Sequence, residues 1–159
     1  MMSLPYRNGK KKRSQSYILI GDGFDELEVI YFLHNFRQAG LSIKSVSLFD
    51  KLVYSRQGVG LKADYALADK PFDPSGDDCL LILPSGGRNG DVLRRDARVK
   101  SLLMEFNTGC GRVAVTNSNK HLAKDVKQVC SDRLTLQKRG EQGLEDFVKS
   151  LTERFVYAS

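Results

Sequence analysis

A short apolar strand that ends in a polar turn is the feature of this chain best able to position reacting groups. The stretch reads Val113-Ala114-Val115-Thr116-Asn117-Ser118-Asn119, and a helix is predicted to follow it. In open α/β folds, such a corner directs the main-chain N–H groups of the helix start toward the space above the sheet. Enzymes of this shape usually carry Cys or Ser there, whereas Asn117 offers an amide, which is not a nucleophile. The sequence therefore predicts a catalytic frame without its reactive atom.

Two hydroxyls flank this corner and are the alternative nucleophiles. Thr116 and Ser118 would each need an adjacent general base. Glu28, which follows the first predicted strand, is the only candidate for that base. A serine one residue beyond the corner also points in a different direction from the corner residue, so catalysis by Ser118 is not favoured.

The net charge of +6 is concentrated at the amino end of the 159-residue chain. Residues 1–15 contain five basic residues and no acidic one, four of them in Lys10-Lys11-Lys12-Arg13. We predict a basic disordered tail over residues 1–15 and a single domain over residues 16–159. The alternative is that the tail contacts nucleic acid or an anionic surface by non-specific attraction.

Cysteine usage and hydropathy indicate the compartment. Cys79, Cys110 and Cys130 are odd in number and irregularly spaced, which does not suit a disulfide framework. Residues 1–15 lack the apolar stretch of a signal peptide, and no apolar run approaches the ~20 residues that span a bilayer. We expect a cytoplasmic protein without a membrane span. Two histidines and scattered cysteines predict no metal site, and no cofactor motif is present.

Strands and helices alternate along the chain, which predicts a doubly wound, mostly parallel sheet of the α/β class. The predicted strands are 17–20, 42–49, 79–83, 113–115 and 134–136, with a hairpin or edge element over 53–64. The predicted helices are 25–39, 96–107, 120–128 and 143–156. The first helix is apolar nearly all round, so it is expected to contact a second subunit as well as the sheet.

Two other classes with this topology fit less well. A response-regulator receiver would need an aspartate at the end of the third strand, where this chain has Leu83-Pro84-Ser85. A flavin carrier would need a hydroxyl-rich phosphate loop after the first strand. The loop here, Gly21-Asp22-Gly23-Phe24-Asp25, is acidic and would repel phosphate.

Four motifs, in order, resemble those of the ThiJ/PfpI superfamily, the DJ-1-like proteins with a class I glutamine amidotransferase-like fold. Residues 21–28 (GDGFDELE) resemble its G-x-E-E-x-E turn, and residues 83–87 (LPSGG) resemble its L-P-G-G strand end. Ser55-Arg56 and residues 134–140 (LTLQKRG) have similar counterparts. The resemblance implies a flavodoxin-like three-layer α/β/α sandwich and a homodimer.

The resemblance also implies a site. The family's acidic partner of the nucleophile matches Glu28, and its oxyanion-hole amides match Ser85, Gly86 and Ser118. Its nucleophilic cysteine matches Asn117. Because Asn tolerates positive φ better than other residues except Gly, Asn117 is expected to keep the strained elbow, and its amide to donate to Glu28.

A second departure is a shortened segment after the elbow helix. The family usually has another strand and hairpin there, with a His-containing segment near the nucleophile. Here about eight residues separate Asp125 from Leu134, so that segment is expected to be deleted. His121 and His34 are interpreted as structural helix residues.

Two functions are consistent with this pattern. The favoured one is a non-catalytic member, a pseudoenzyme that acts as a dimeric scaffold or regulator, or binds a small molecule near Glu28, Gly86 and Asn117. The alternative is a divergent hydrolase or lyase in which Glu28 is the general acid/base and the Ser85, Gly86 and Ser118 amides are oxyanion donors. The sequence leaves open whether the protein is an enzyme, and the missing thiol favours a protein without enzymatic activity.

Overall fold

The computed structural model describes residues 15–69, 79–109, 111–138 and 143–158. Its helices are α1 Glu26–Gln38, α2 Asn89–Arg95, α3 Ala97–Thr108, α4 Lys120–Cys130 and α5 Leu144–Ala158, with a 3₁₀ turn at Ser131–Arg133. Its strands are β1 Gln15–Ile20, β2 Ser42–Ser47, β3 Leu52–Tyr54, β4 Gly60–Lys62, β5 Tyr65–Ala66, β6 Cys79–Leu83, β7 Arg112–Val115 and β8 Leu134–Leu136. Of the predicted tail, the described residues include only Gln15, the first residue of β1. Cys110 also lies outside the described residues.

Six strands form one sheet in the order β5-β2-β1-β6-β7-β8, and every neighbouring pair is parallel. β3 and β4 form a separate antiparallel hairpin. The chain moves from β1 outward to β2 and β5, and then returns to the other side of β1 at β6. In doubly wound sheets, this reversal opens a crevice at the carboxyl ends of the two central strands. The predicted fold class is therefore confirmed.

The central strands are buried on both faces, which makes the fold a three-layer sandwich. Alternate residues of β1 point to opposite faces. Ile18 and Ile20 join one core cluster with helices α1 and α5, whereas Leu19 joins a second cluster with α3 and α4. Each face of the sheet therefore has its own hydrophobic core under a helical layer.

The first helix has clear start and stop signals. Asp25 is its N-cap, and its side chain accepts hydrogen bonds from the main-chain N–H groups of Leu27 and Glu28. Gly40, just beyond the last turn, has a φ of 80°, which few other residues adopt. The predicted helix over 25–39 is thus confirmed to within one residue at each end.

Two elements are absent from the sequence prediction. Helix α2 starts inside a glycine-rich turn that is typical of a loop, and it is held by burial of Leu93 against the sheet. Strand β5 has only two residues and depends on its pairing with β2. Strand β2 also ends at Ser47, so the predicted extension to Phe49 is wrong: that side chain is 68% exposed. None of the described helices is both long enough and apolar enough to span a bilayer.

Candidate functional site

Glu28 lies where the loops after β1, β6 and β7 meet at the carboxyl end of the sheet. It belongs to the first turn of α1, which Asp25 caps. Its side chain is only 6% exposed. The main-chain N–H of Gly86, in the turn after β6, donates to Glu28 Oε1 at 2.9 Å. The structure thus brings together two of the residues named for the predicted site.

The contact requires glycine at position 86. A Cβ atom there would lie 2.7 Å from Glu28 Oε1 and 3.0 Å from Asp25 Cβ. The next residue, Gly87, has a φ of 61° and lies directly against the main chain of residues 23–25. The two glycines therefore let the β6 turn approach the start of α1 closely enough for Glu28 to be bonded.

Burial raises the pKa of Glu28 above its ordinary value of 4.5. The Gly86 N–H and the Thr116 hydroxyl oppose this rise because they favour the charged carboxylate, while the negative charge of Asp25 adds to it. Burial is the dominant cause, so the proton on Glu28 is held more tightly than on an exposed glutamate.

Ser85 and Thr116 are hydrogen-bonded to each other beside Glu28. The main-chain N–H of Ser85 donates to Thr116 Oγ1 at 2.7 Å, and the Ser85 hydroxyl donates to the Thr116 carbonyl at 3.0 Å. The N–H of Asn119 donates in turn to Ser85 Oγ at 3.1 Å. Both Ser85 and Thr116 are buried. The amides of Ser85 and Gly86, predicted as oxyanion donors, are thus bonded to side chains of the chain itself.

Asn117 is directed away from this cluster. Its side-chain Nδ2 donates to the carbonyl of Lys138, and its main-chain N–H donates to Gln137 Oε1, each at 2.9 Å. No hydrogen bond joins Asn117 to Glu28 in the described part of the chain, so the expected pairing is not formed. The predicted left-handed backbone at Asn117 is also wrong, because every described residue with positive φ is a glycine. The segment after β8 holds the Asn117 amide instead.

The other residues considered for the site lie outside the cluster of Glu28, Ser85 and Thr116. Ser118 is exposed, and so is His121 on α4. Cys79 and Cys130 are buried, and Cys130 Sγ donates to the carbonyl of Leu103 in the core. Burial raises the pKa of Cys130, so it is not an activated thiol. Within the described ranges, no group of three or more His, Cys, Asp or Glu side chains is arranged to hold a metal ion.

Asn89 is a buried polar residue that sequence reasoning missed. Its Oδ1 accepts from the N–H of Gly21 at 2.6 Å, and its Nδ2 donates to the carbonyls of Pro84 and Leu19 at 2.6 and 3.1 Å. One side chain therefore fixes the ends of β1 and β6 relative to each other. The sequence carries no signal for this role, because a polar residue after Gly86-Gly87 is typical of an exposed turn.

The chain belongs to the DJ-1/PfpI family, whose profile matches residues 15–153. Among curated proteins, it is similar to Deglycase TK1284 of Thermococcus kodakarensis, with 28% identity over 113 residues. That match covers 71% of this chain and 58% of the relative, so the aligned segment spans little more than half of the relative's length.

Solved structures of the same superfamily share the fold. The DJ-1 superfamily protein STM1931 of Salmonella typhimurium superimposes with a TM-score of 0.68 at 17% identity, over 90% of each chain. DJ-1beta of Drosophila melanogaster gives a TM-score of 0.67 at 17% identity, over 91% of each chain. At this identity, the likeness concerns the architecture and not the chemistry of the site.

Proposed function

We propose that this protein is a non-catalytic member of the DJ-1/PfpI family that acts by binding, as a dimeric scaffold or as a receptor for a small ligand. The proposal rests on the identity and the hydrogen bonding of Asn117 at the predicted elbow. By the family resemblance, Asn117 matches the position of the nucleophile, and in the structure its amide is bonded to the Lys138 carbonyl. Acyl or carbonyl chemistry of the family type needs a nucleophile at this position, and an amide cannot supply one.

The main-chain N–H groups of Ser85 and Gly86 support the same proposal, because both are already hydrogen-bonded within the chain. An oxyanion hole needs donors that are free to face the developing charge. The N–H of Ser85 is bonded to Thr116 Oγ1 and the N–H of Gly86 to Glu28 Oε1. A substrate oxygen would have to displace two short, buried hydrogen bonds before it could use these donors.

A homodimer is the proposed assembly, through the exposed side of α1. Leu27 is 77% exposed and Ile30 48% exposed, although both are large apolar residues. The β3–β4 hairpin adjoins this helix start, since the N–H of Gly23 donates to the carbonyl of Tyr54. Tyr54 and Val59 of the hairpin are exposed as well. A second copy of the chain would remove these apolar side chains from water.

The second candidate is a divergent hydrolase or lyase with Glu28 as the general acid/base. The raised pKa of Glu28 favours it, because a buried carboxyl that keeps its proton to higher pH can act as an acid. The relative named as a deglycase suggests deglycation as the first reaction to assay. In this case the chemistry would need no thiol at the elbow.

One assay separates the two candidates. The wild type, Glu28→Gln and Asn117→Cys would be tested for deglycation and for turnover of small carbonyl compounds, with thermal stability read in parallel. We expect no turnover by the wild type above the buffer rate. Wild-type turnover that is lost in Glu28→Gln would establish the second candidate and reject the first.

A matched variant controls for thiol chemistry. Ser118→Cys places a thiol one residue beyond the elbow, and Ser118 is exposed, so the substitution is not expected to disturb folding. Alkylation of the two introduced thiols, located by peptide mass spectrometry, would be compared. Faster alkylation and turnover in Asn117→Cys alone would show that the elbow can still activate a nucleophile, which would confine the loss of catalysis to a single residue.

A further inference from the structure

A cavity lies at the carboxyl ends of β1 and β2, where Val92 and Arg95 of α2 form part of its wall. Its volume is about 500 Å³, within the range of about 300–1,000 Å³ that is usual for small-molecule sites. Neither Glu28, Gly86 nor Asn117 lines it. The carboxyl ends of parallel strands are where doubly wound folds bind ligands, so its position favours a binding site.

The cavity has an apolar floor and an apolar mouth. Ile20, Leu48 and Val53 line it and are buried. Phe49 and Leu52 also line it, yet their side chains are 68% and 52% exposed. Neighbouring apolar side chains exposed beside a cavity are typical of ligand-binding grooves.

Phe49 is held in place by Arg98. The guanidinium carbon lies 4.0 Å from the centre of the Phe49 ring. Arg98 is itself fixed, because it forms an ion pair with Asp96 at 2.6 Å and donates to the carbonyl of Leu48 at 3.0 Å. A cation over one face of the ring leaves the opposite face for stacking with a second aromatic ring.

The polar groups of the cavity suit hydroxyl donors better than phosphate. Asp22 and Asp50 line it, in the loops after β1 and β2. One oxygen of Asp22 accepts from the N–H of Tyr54 at 3.1 Å, which leaves the other available. Asp50 is exposed and, within the described residues, has no hydrogen bond or ion pair. Within the described ranges, Arg95 is the only cation of the lining and has no ion pair, while the third lining acid, Asp96, is paired with Arg98. The two remaining acids therefore outweigh Arg95.

We propose that this cavity binds a nucleoside without a phosphate group. The base stacks on Phe49 over the apolar floor, and the ribose hydroxyls donate to the carboxylates of Asp22 and Asp50. An acidic side chain after the second strand is the group that accepts from ribose hydroxyls in other doubly wound folds. The site is separate from the Glu28 cluster, so it stands whether or not that cluster is catalytic.

Titration of the ¹⁵N-labelled protein with adenosine, guanosine, cytidine and uridine tests the proposal. We expect at least one nucleoside to give saturable shifts of the Gly21, Val53 and Val92 amides at concentrations below about 5 mM. Its 5′-monophosphate should bind about tenfold more weakly, because the phosphate meets two carboxylates. Its 2′-deoxy form should bind about fivefold more weakly, because one hydroxyl bond is lost.

Variants at exposed positions make the result specific. Phe49→Ala and Asp50→Asn should each weaken binding about fivefold or more, through lost stacking and a lost charged acceptor. Met104→Ala, at an exposed apolar residue of α3 outside the cavity, should bind like the wild type. Absence of saturable shifts with all four nucleosides, shifts confined to other residues, or a monophosphate that binds as tightly as the nucleoside would overturn the proposal.

Discussion

The hydroxyl of Thr116 accepts a hydrogen bond from the main-chain N–H of Ser85 at 2.7 Å, across the ends of β7 and β6. Thr116 directly precedes the elbow, and Ser85 carries one of the amides expected to serve an oxyanion. The hydroxyl beside the predicted elbow thus bonds an amide that the family resemblance assigns to an oxyanion hole.

Thr116→Val should destabilise the protein. Valine keeps the shape of threonine, but it leaves the Ser85 N–H without its acceptor in a buried position. A loss of about 1–3 kcal/mol in the free energy of unfolding is expected, and urea titration would measure it. Thr108→Val, at an exposed helix end, is the control and should change stability far less. Equal stability of Thr116→Val and wild type would mean that the Ser85 amide finds another partner.

Glu28→Gln should change how stability depends on pH. The folded-state pKa of Glu28 is raised by burial, so its contribution is fully present below the unfolded value of 4.5 and is lost as pH rises through the folded pKa. Glutamine keeps an acceptor for the Gly86 N–H but has no proton to lose. The stability of Glu28→Gln relative to wild type should therefore increase with pH, by about 1.4 kcal/mol for each unit of the pKa shift.

The matched control for this titration is Glu105→Gln, because Glu105 is an exposed residue of α3. Unfolding would be measured by urea at several pH values from 4 upward, with all three proteins in the same buffers. A difference between Glu28→Gln and wild type that stays constant with pH would contradict a raised pKa at Glu28.

Asn89→Asp should be more damaging than its small change in shape suggests. The substitution replaces the Nδ2 donor by a carboxylate oxygen that faces the carbonyls of Leu19 and Pro84. A loss of about 3 kcal/mol is expected, from two lost bonds and a buried charge. Asn107→Asp, at an exposed position of α3, should be close to neutral. Similar melting temperatures for the two variants would show that Asn89 is not needed to fix the strand ends.

Much of the fold follows from local patterns in the sequence. The apolar runs at residues 17–20 and 79–83, each followed by a glycine-rich turn, specify buried parallel strands because no other element suits such short segments. The turns bring Glu28 and Gly86 together once the two strands pair. These parts of the site are predictable because they depend on neighbours in sequence and on one strand pairing.

The direction of Asn117 could not be predicted, because its partners are remote in sequence. Gln137 and Lys138 lie about twenty residues later, and they reach Asn117 only through the pairing of β8 with β7. Their bonds hold the turn without a left-handed residue, whereas the family resemblance implied a strained elbow. The inward-facing hydroxyl of Thr116 is similar, since its partner Ser85 lies 31 residues away.

Leu27→Lys should disrupt the proposed homodimer. Leu27 is the most exposed of the large apolar side chains in the described part of α1, so a charge there costs little in the folded monomer and much in an apolar interface. Sedimentation or light scattering over a range of concentrations should show a dimer for the wild type. The dissociation constant of the dimer should be at least about tenfold higher for the variant. Met104→Lys, an equally drastic change at an exposed apolar residue of α3, should leave the dimer intact. A monomeric wild type would reject the dimer. Equal weakening by both variants would place the interface away from α1, because added charge at any exposed site would then explain the loss, whereas burial of Leu27 in the interface predicts weakening by Leu27→Lys alone.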